Sequence, residues 1–228
     1  PSKLAQILKD HGYKIKELQT GEISYRYDRI SKEELAKVTY LIFTSRYGVH
    51  GFMKQMKSSN LDLRDLFDKK IVVVGKKTKD VLMQYGIIAD LMPEAGEINL
   101  SELMKQEVDA KDVVWYCKGI SGGEKLKKAL TPICQVTEKI MYENNRKIFS
   151  EIPEMKDIRS VSFTCASSAR RFFDQIGEEK QQWIENIPCI SIGEKTTKQL
   201  REIGVRHILE SKDTTYVSMF YKIKESML

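Results

Sequence analysis

The sequence predicts an α/β protein with parallel β-sheets, and two observations carry that prediction. Short β-branched runs alternate along the chain with longer amphipathic runs, which is the order of strands and helices in parallel α/β folds. A unit of strand, Gly-x-x-Thr and helix also occurs twice, about half of the chain apart. Together they predict two similar doubly wound domains.

The two copies of the repeat match in strand, glycine, lysine, threonine and helix length. Residues 71–78 are IVVVGKKT and residues 189–196 are CISIGEKT, and each run leads into a helix that ends at a glycine, Gly86 or Gly204. Upstream, each copy has another strand that ends in Phe-Thr and leads into another helix. Chance is a poor explanation for so many matches in the same order.

The other elements follow from hydrophobic periodicity. Apolar residues three and four apart predict helices, and short β-branched runs predict strands. The predicted helices cover residues 3–11, 76–85, 100–107, 124–130, 167–176, 195–203 and 216–224. The predicted strands cover residues 13–18, 40–43, 71–74, 113–117, 136–142, 161–164 and 189–192. The polar stretch 143–158 contains Pro153 and is predicted to be a connection.

The composition is that of a globular protein. The chain has 228 residues, of which 41% are hydrophobic and 31% charged, enough to bury two modest cores. The apolar runs are too short to cross a bilayer and no signal segment opens the chain, so we expect no membrane partner and a cytoplasmic location. The net charge of +6 fits plain solubility and an anion site equally well. Aromatic and basic residues do not interleave, so we expect no nucleic-acid partner.

The spacing of the cysteines and histidines does not predict a metal site. None of the four cysteines stands in a Cys-x-x-Cys pair, and His11, His50 and His207 are scattered. We expect buried, reduced thiols, as in a reducing compartment, and neither a disulfide framework nor a histidine-based catalytic triad.

Polar residues follow several predicted strands at their carboxyl ends, where ligands bind in open α/β sheets. A glycine there lets the backbone approach a ligand, and the free amides of the next helix attract anions. Each serine or threonine alone is more often a helix cap, but as a set they predict an anion-binding site. The predicted binding residues are Thr44, Ser45, Gly75, Thr78, Lys118, Gly119, Ser167, Gly193 and Thr196.

The common nucleotide-binding motifs are missing from the sequence. Residues 75–78 lack the Gly-x-x-x-x-Gly-Lys frame of a P-loop, and no Gly-x-Gly-x-x-Gly follows a strand. Residues 121–124 (Ser-Gly-Gly-Glu) fit a helix cap better than a phosphate cradle. The inventory of amides, hydroxyls, lysines and the phenol of Tyr142 suits an enzyme that orients an anionic substrate.

The motifs, taken in order along the whole chain, resemble those of the uroporphyrinogen-III synthase family. Each motif alone is weak, and their order and spacing make the resemblance specific. The matching segments are LIFTS at 41–45 with GV at 48–49, VVGKKT at 73–78, CKG at 117–119, IMY at 140–142, FTCAS at 163–167 and SIGEKT at 191–196.

The resemblance implies two α/β domains joined by a two-stranded antiparallel linker, with the first domain discontinuous. Residues 1–19 and 146–228 would form the discontinuous domain and residues 22–142 the inserted one, with linkers near 19–22 and 142–147. Family members open with a strand that ends in a Thr-Arg-Pro type motif, whereas this chain starts at Pro1. We therefore expect the discontinuous domain to lack its first strand.

The resemblance also implies a reaction. Members of the family close the linear tetrapyrrole hydroxymethylbilane into uroporphyrinogen III, with inversion of ring D and without a cofactor, in haem, sirohaem and corrin biosynthesis. Loss of a hydroxyl group would lead to a spiro intermediate. Tyr142 matches the family's linker tyrosine and is a candidate general acid, with a structural tyrosine as an equal alternative. We expect a monomer that binds hydroxymethylbilane and transiently contacts hydroxymethylbilane synthase.

One departure from the family pattern keeps a second hypothesis open. Cys165 and Ala166 stand where the family usually has Ser-Pro. Together with the expected lack of the opening strand, this departure favours a non-catalytic module of the same fold that binds tetrapyrroles or other anions. Turnover of hydroxymethylbilane would select the enzyme, and tight binding of uroporphyrinogen without turnover would select the module.

Overall fold

The computed structural model describes residues 2–94 and 97–227. The helices are α1 Lys3–Asp10, α2 Lys32–Ala36, α3 Arg46–Ser58, α4 Lys76–Gln84, α5 Glu97–Glu107, α6 Lys125–Leu130, α7 Ala166–Phe173, α8 Glu178–Ile184, α9 Glu194–Ile203 and α10 Tyr216–Glu225. The strands are β1 Gly21–Tyr25, β2 Tyr40–Phe43, β3 Lys70–Val73, β4 Val113–Gly119, β5 Gln135–Arg146, β6 Val161–Phe163, β7 Cys189–Ser191 and β8 Ile208–Glu210. Short 3₁₀ helices cover Leu63–Leu66 and Met155–Asp157.

The strands form two sheets, one of five strands in the order β1-β5-β4-β2-β3 and one of three in the order β6-β7-β8. In the first sheet β2 pairs in parallel with β3 and β4, and β4 with β5; in the second, β7 pairs in parallel with β6 and β8. Strands joined through helices require this parallel arrangement. The predicted α/β class with parallel sheets is therefore confirmed.

The chain divides by its internal contacts into two units. One unit comprises Pro1–Glu22 and Arg146–Leu228, and the other comprises Ile23–Asn145. The divisions fall within β1 and β5, close to the linkers predicted near 19–22 and 142–147. The Arg26 amide donates to the Met141 carbonyl, and the Lys147 amide donates to the Thr20 carbonyl. In these pairs the residue number increases along one strand while it decreases along the other, so β1 and β5 are antiparallel.

The sheet of the 23–145 unit is covered by helices on both faces. The strand β2 is buried at all of its positions, and its side chains alternate between two cores. Leu41 and Phe43 pack with α3 and α4, whereas Tyr40 and Ile42 pack with α5 and α6. The continuous apolar run of β2 follows from this burial, because neither face of the strand meets water.

The helix α3 lies unusually close to the strands beneath it. A Cβ atom on Gly48 would lie 2.9 Å from the Cys117 carbonyl oxygen, and one on Gly51 would lie 2.7 Å from that of Met141. Only a residue without a side chain fits at such distances. The two glycines therefore set the distance of α3 from β4 and β5, and with it the position of the residues at the start of α3.

The unit formed by residues 1–22 and 146–228 has its own two cores. On one side of the three-stranded sheet, Phe163 and Cys189 pack with apolar residues of α7, α8 and α9. On the other side, Ile190 packs with residues of α1 and α10, including Leu4 and Phe220. Layers of helix on both faces of the sheet thus recur in this unit.

Two expectations about secondary structure are wrong. Residues 13–18 are not a strand: Tyr13 and Ile15 pack against one core and Leu18 against the other, but the backbone pairs with no strand in the described part of the chain. The alternation of apolar residues there reflects packing alone. The stretch 143–158 does not begin as a connection, because β5 continues to Arg146 where it pairs with β1.

Candidate functional site

The carboxyl ends of β2, β3 and β4 lie together at one edge of the five-stranded sheet. The register pairs Phe43 with Val73 on one side and with Cys117 on the other, so the residues that follow these strands are neighbours. The predicted site residues at this edge are Thr44, Ser45, Gly75, Thr78, Lys118 and Gly119. The edge is where open α/β sheets bind their ligands.

Ser45 connects the start of α3 to Tyr142 on β5. It is the N-cap of α3: its Oγ accepts a hydrogen bond from the Gly48 amide at 3.1 Å. The same hydroxyl donates to the phenol oxygen of Tyr142 at 3.0 Å. Because Ser45 supplies the proton of this bond, the proton of the Tyr142 hydroxyl is free for another acceptor.

Gly119 and Tyr47 hold the ring of Tyr142 from two other directions. A Cβ atom on Gly119 would lie 2.7 Å from Cζ of Tyr142, so the ring rests directly on the glycine backbone. The register between β4 and β5 shifts at this point, and the Ile120 amide donates to the Tyr142 carbonyl at 3.0 Å. The rings of Tyr47 and Tyr142 are tilted, with centroids 5.5 Å apart. The phenol is thus held in one orientation while its side chain stays only partly buried.

Lys118 points into the protein. Lys118 is only 4% exposed. Its ammonium lies 2.6 Å from Oε1 of Glu138 and 3.4 Å from the Gly123 carbonyl oxygen. Lys127 adds a second, longer contact to Glu138, at 3.5 Å. Through these bonds Lys118 stabilises the turn that follows Gly119 at the end of β4. Its predicted role in binding substrate stays a prediction.

The two Gly-x-x-Thr turns share one backbone hydrogen bond, although their glycines differ in φ. The Thr78 amide donates to the Gly75 carbonyl at 3.1 Å, and the Thr196 amide donates to the Gly193 carbonyl at 2.9 Å. Both threonines are buried, at 4% and 2% exposure. Gly75 has a φ of +78°, where only glycine is free of strain.

The second predicted cluster lies at the carboxyl ends of β6 and β7. These strands are in register, with Phe163 opposite Ser191, and Ser167 and Gly193 follow at the same edge. Cys165 is the N-cap of α7, and its sulfur lies 3.4 Å from the Ser167 hydroxyl. Cys165 is exposed, yet neighbouring atoms remove some water from its thiol, which raises its pKa. Hydrogen bonds with Ser167 and Ser168 and the charge of Arg171 outweigh this effect, so the pKa of Cys165 lies below the ordinary value.

Sequence reasoning missed a polar cluster beneath this edge. The hydroxyls of Ser191 and Thr197 are 2.6 Å apart, and the Thr197 hydroxyl donates to Oε2 of Glu210 at 2.5 Å. The Ser211 hydroxyl donates to the Ser191 carbonyl at 2.9 Å. These bonds tie α9 to β7 and β8. The sequence feature that could have indicated this polar cluster is Thr197, the second threonine of the pair at 196–197.

Thiols and potential metal ligands can also be placed. Cys117, Cys134 and Cys189 are buried and Cys165 is exposed, and all of them are free thiols, so the expectation of buried thiols is wrong for Cys165. Burial raises the pKa of the Cys189 thiol to about 12.

Across residues 2–94 and 97–227, the His, Cys, Asp and Glu side chains form no group of three that could hold a metal ion. Within the same residues, no helix is both long and apolar enough to cross a membrane.

Comparison with known families gives one match over almost the whole chain. The model of the family described as uroporphyrinogen-III synthase HemD matches residues 2–220. The chain is 24% identical over 201 residues to a porphyrin biosynthesis protein HemD of Ruminiclostridium josui, which covers 85% of this chain but only 39% of that protein. It is 26% identical over 224 residues to a putative uroporphyrinogen-III synthase of Methanocaldococcus jannaschii, covering 90% of this chain and 86% of the relative.

Solved structures share the fold. A uroporphyrinogen-III synthetase from Helicobacter pylori superposes with a TM-score of 0.67 at 21% identity and covers 92% of both chains. A mutant uroporphyrinogen III synthase from the extremely thermophilic bacterium Thermus thermophilus superposes with a TM-score of 0.61 at 15% identity, covering 98% of this chain and 93% of that one. At these identities the likeness concerns the fold.

Proposed function

Because this chain belongs to the uroporphyrinogen-III synthase family, we propose that it converts hydroxymethylbilane into uroporphyrinogen III. One observation within the chain supports the proposal most strongly. The phenol of Tyr142 is fixed by the Ser45 hydroxyl and the Gly119 backbone at the carboxyl edge of the sheet, with its own proton free. An oriented proton donor is what the departure of a hydroxyl group requires.

The proposed first step is the loss of water from the substrate. The bond between the terminal carbon and its hydroxyl oxygen breaks as the Tyr142 proton moves to that oxygen. Water leaves, and the lone pair of the adjoining pyrrole nitrogen stabilises the positive charge that forms on the carbon. The hydrogen bond that Ser45 donates to the phenol oxygen then stabilises the phenolate that remains.

The carboxylates of the substrate would be held by backbone amides. The helices α3 and α4 both begin at this edge, at Ser45 and Gly75, and the first amides of a helix attract anions. The α4 turn has no side-chain cap, so no side chain of the turn competes for the first amides of the helix. In the other unit, Gly193 begins α9 in the same way. Binding through amides explains why the buried Thr78 and Thr196 need not touch the substrate.

Replacing Tyr142 with phenylalanine tests this role. Tyr142→Phe keeps the ring against Gly119 but removes the proton, so we expect conversion of hydroxymethylbilane to slow by roughly 100-fold. Binding of uroporphyrin III, the oxidised product, should change little. Tyr27→Phe is the matched control, because Tyr27 is 63% exposed in the same unit. Equal rates for the two variants in a stopped assay of uroporphyrinogen formation would remove Tyr142 from the mechanism.

We also propose that the enzyme works as a monomer in the cytoplasm and receives its substrate from hydroxymethylbilane synthase by transient contact. The free thiols support a reducing compartment, because disulfides form in oxidising ones. A substrate that closes spontaneously gains from a short path between the two enzymes. Sedimentation of the purified chain alone would test the monomer, and sedimentation together with that synthase would test the contact.

A further inference from the structure

Three basic residues lie on one side of α3, each four positions after the last: Arg46, His50 and Lys54. We call them the α3 stripe. In the part of the chain that the structure describes, the two permanent cations contact aromatic rings. The Arg46 guanidinium lies 4.9 Å from the centre of the Tyr47 ring and donates to its hydroxyl at 2.9 Å, and the Lys54 ammonium lies 5.1 Å from the centre of the Tyr25 ring.

His50 lies between these cations and is partly buried. Its Nδ1 is 2.8 Å from the hydroxyl of Tyr85, and the two rings meet edge to face with centroids 5.7 Å apart. Burial lowers the pKa of His50, and the charges of Arg46 and Lys54 lower it further. Among the described residues, neither Arg46 nor Lys54 forms an ion pair with a carboxylate, so both cations next to His50 keep their full positive charge.

The aromatic rings around the stripe belong to one patch. Burial raises the pKa of Tyr25, and the phenols of Tyr47, Tyr85 and Tyr142 raise it further, against the charge of Arg46. Each of three rings also contacts one member of the stripe: Tyr47 contacts Arg46, Tyr25 contacts Lys54 and Tyr85 contacts His50. The patch therefore combines flat ring surfaces with uncompensated positive charge.

The α3 stripe begins where the candidate site ends. Arg46 directly follows Ser45, whose hydroxyl holds Tyr142, and the Tyr47 ring lies 5.5 Å from the Tyr142 ring. A flat ring that carries carboxylates matches both properties of the patch, because its face can stack on the tyrosines while its carboxylates meet the cations. A solvated basic helix face would have the charges but not the four tyrosines.

We propose that the α3 stripe, with Tyr25, Tyr47 and Tyr85, binds one carboxylate-bearing pyrrole ring of the tetrapyrrole next to Tyr142. This inference rests on the proposed function for the identity of the ligand. It adds a subsite with three named side chains that bind carboxylates, whereas the site at the sheet edge offers mainly amides. His50 gains a proton as the carboxylate arrives, because a nearby negative charge favours its charged form.

His50 itself can report on this binding. The chain has three histidines, and His11 and His207 lie in the other unit, so the ring proton signals can be assigned with a His50→Gln variant. An NMR titration with and without uroporphyrin III should show the pKa of His50 rising by about one unit in the complex. His11 and His207 should keep their values. An unchanged His50 titration in the saturated complex would overturn the proposal.

A charge variant provides the second arm of the test. Lys54→Gln should weaken uroporphyrin III binding roughly fivefold, as expected for one exposed charge pair. Lys125→Gln is the matched control, since Lys125 is an exposed lysine on α6, which packs on the opposite face of the sheet. Equal affinities for the two variants would contradict the subsite.

The outcome separates this inference from the proposed function. If the chain binds uroporphyrin III through the α3 stripe but does not turn over hydroxymethylbilane, the subsite is supported and the proposed enzymatic function is rejected. If the Lys54→Gln variant turns over substrate at the full rate and the pKa of His50 does not shift on binding, the enzymatic function is supported and the subsite is rejected. An equal shift of His50 by oligo-dT would make the stripe a general anion surface and would also overturn the proposal.

Discussion

Lys118 carries its charge inside the protein, where an ammonium is stable only with a partner. Glu138 is that partner, and the pair supports the turn on which the Tyr142 ring rests. From the sequence, a lysine next to a glycine at a strand end was expected to face a ligand. Lysines are rarely buried, so the burial of this one depends on Glu138, a residue of the next strand along the sheet.

The Lys118–Glu138 pair should therefore matter more for stability than an exposed pair does. Glu138→Gln leaves the buried ammonium without its counter-charge and should lower the free energy of unfolding by about 3 kcal/mol. Glu102→Gln is the control: it breaks the exposed pair with Lys105 and should cost less than about 1 kcal/mol. Urea denaturation of both variants measures the difference. A loss for Glu138→Gln no larger than for the control would contradict the structural role of the pair.

Ser45 and Tyr142 were each predicted as site residues, but not their hydrogen bond. They are 97 positions apart, and the contact arises because β4 lies between β2 and β5 and α3 runs back over these strands. Strand order of this kind is a tertiary property that local patterns do not contain. The α3 stripe was missed for a different reason: its basic residues match an ordinary solvated helix face, and only the surrounding tyrosines distinguish it.

At the level of elements, periodicity predicted the buried strands well. The strand β2 and the helices α4 and α9 lie where apolar runs and stop glycines place them, because burial determines both the pattern and the structure. The expectation for residues 13–18 failed because side-chain alternation does not guarantee a backbone partner. The strand β1 was missed, since Gly21–Tyr25 is half exposed and only its pairing with β5 makes it a strand.

The close contact of α3 with the sheet gives an element-scale prediction. Gly51→Ala would place a methyl group 2.7 Å from a backbone oxygen, which a flexible side chain cannot relieve. We expect a loss of about 2 kcal/mol in the free energy of unfolding, and slower turnover as Ser45 moves away from Tyr142. Gly123→Ala is the control, because its Cβ would have no neighbour within 4 Å. Urea denaturation that shows equal stability for the two variants would contradict this packing.

At the scale of the whole molecule, the internal repeat was the most informative feature of the sequence. Both copies form a strand, a glycine turn and a helix, and each lies in a unit with helices on both faces of its sheet. One copy is next to Tyr142, Ser45 and the α3 stripe, whereas the other is next to Cys165 and the Ser191–Thr197–Glu210 bonds. The repeat thus predicted the scaffold, and the chemistry depends on residues that differ between its copies.

The isomer composition of the product tests the central claim most directly. Hydroxymethylbilane closes spontaneously to uroporphyrinogen I, and only inversion of ring D gives uroporphyrinogen III. Incubation of the purified chain with hydroxymethylbilane, followed by oxidation and chromatographic separation of the isomers, should yield mainly isomer III at a rate proportional to the protein concentration. Accumulation of isomer I alone, at the rate seen without protein, would contradict the assignment of this chain as a synthase.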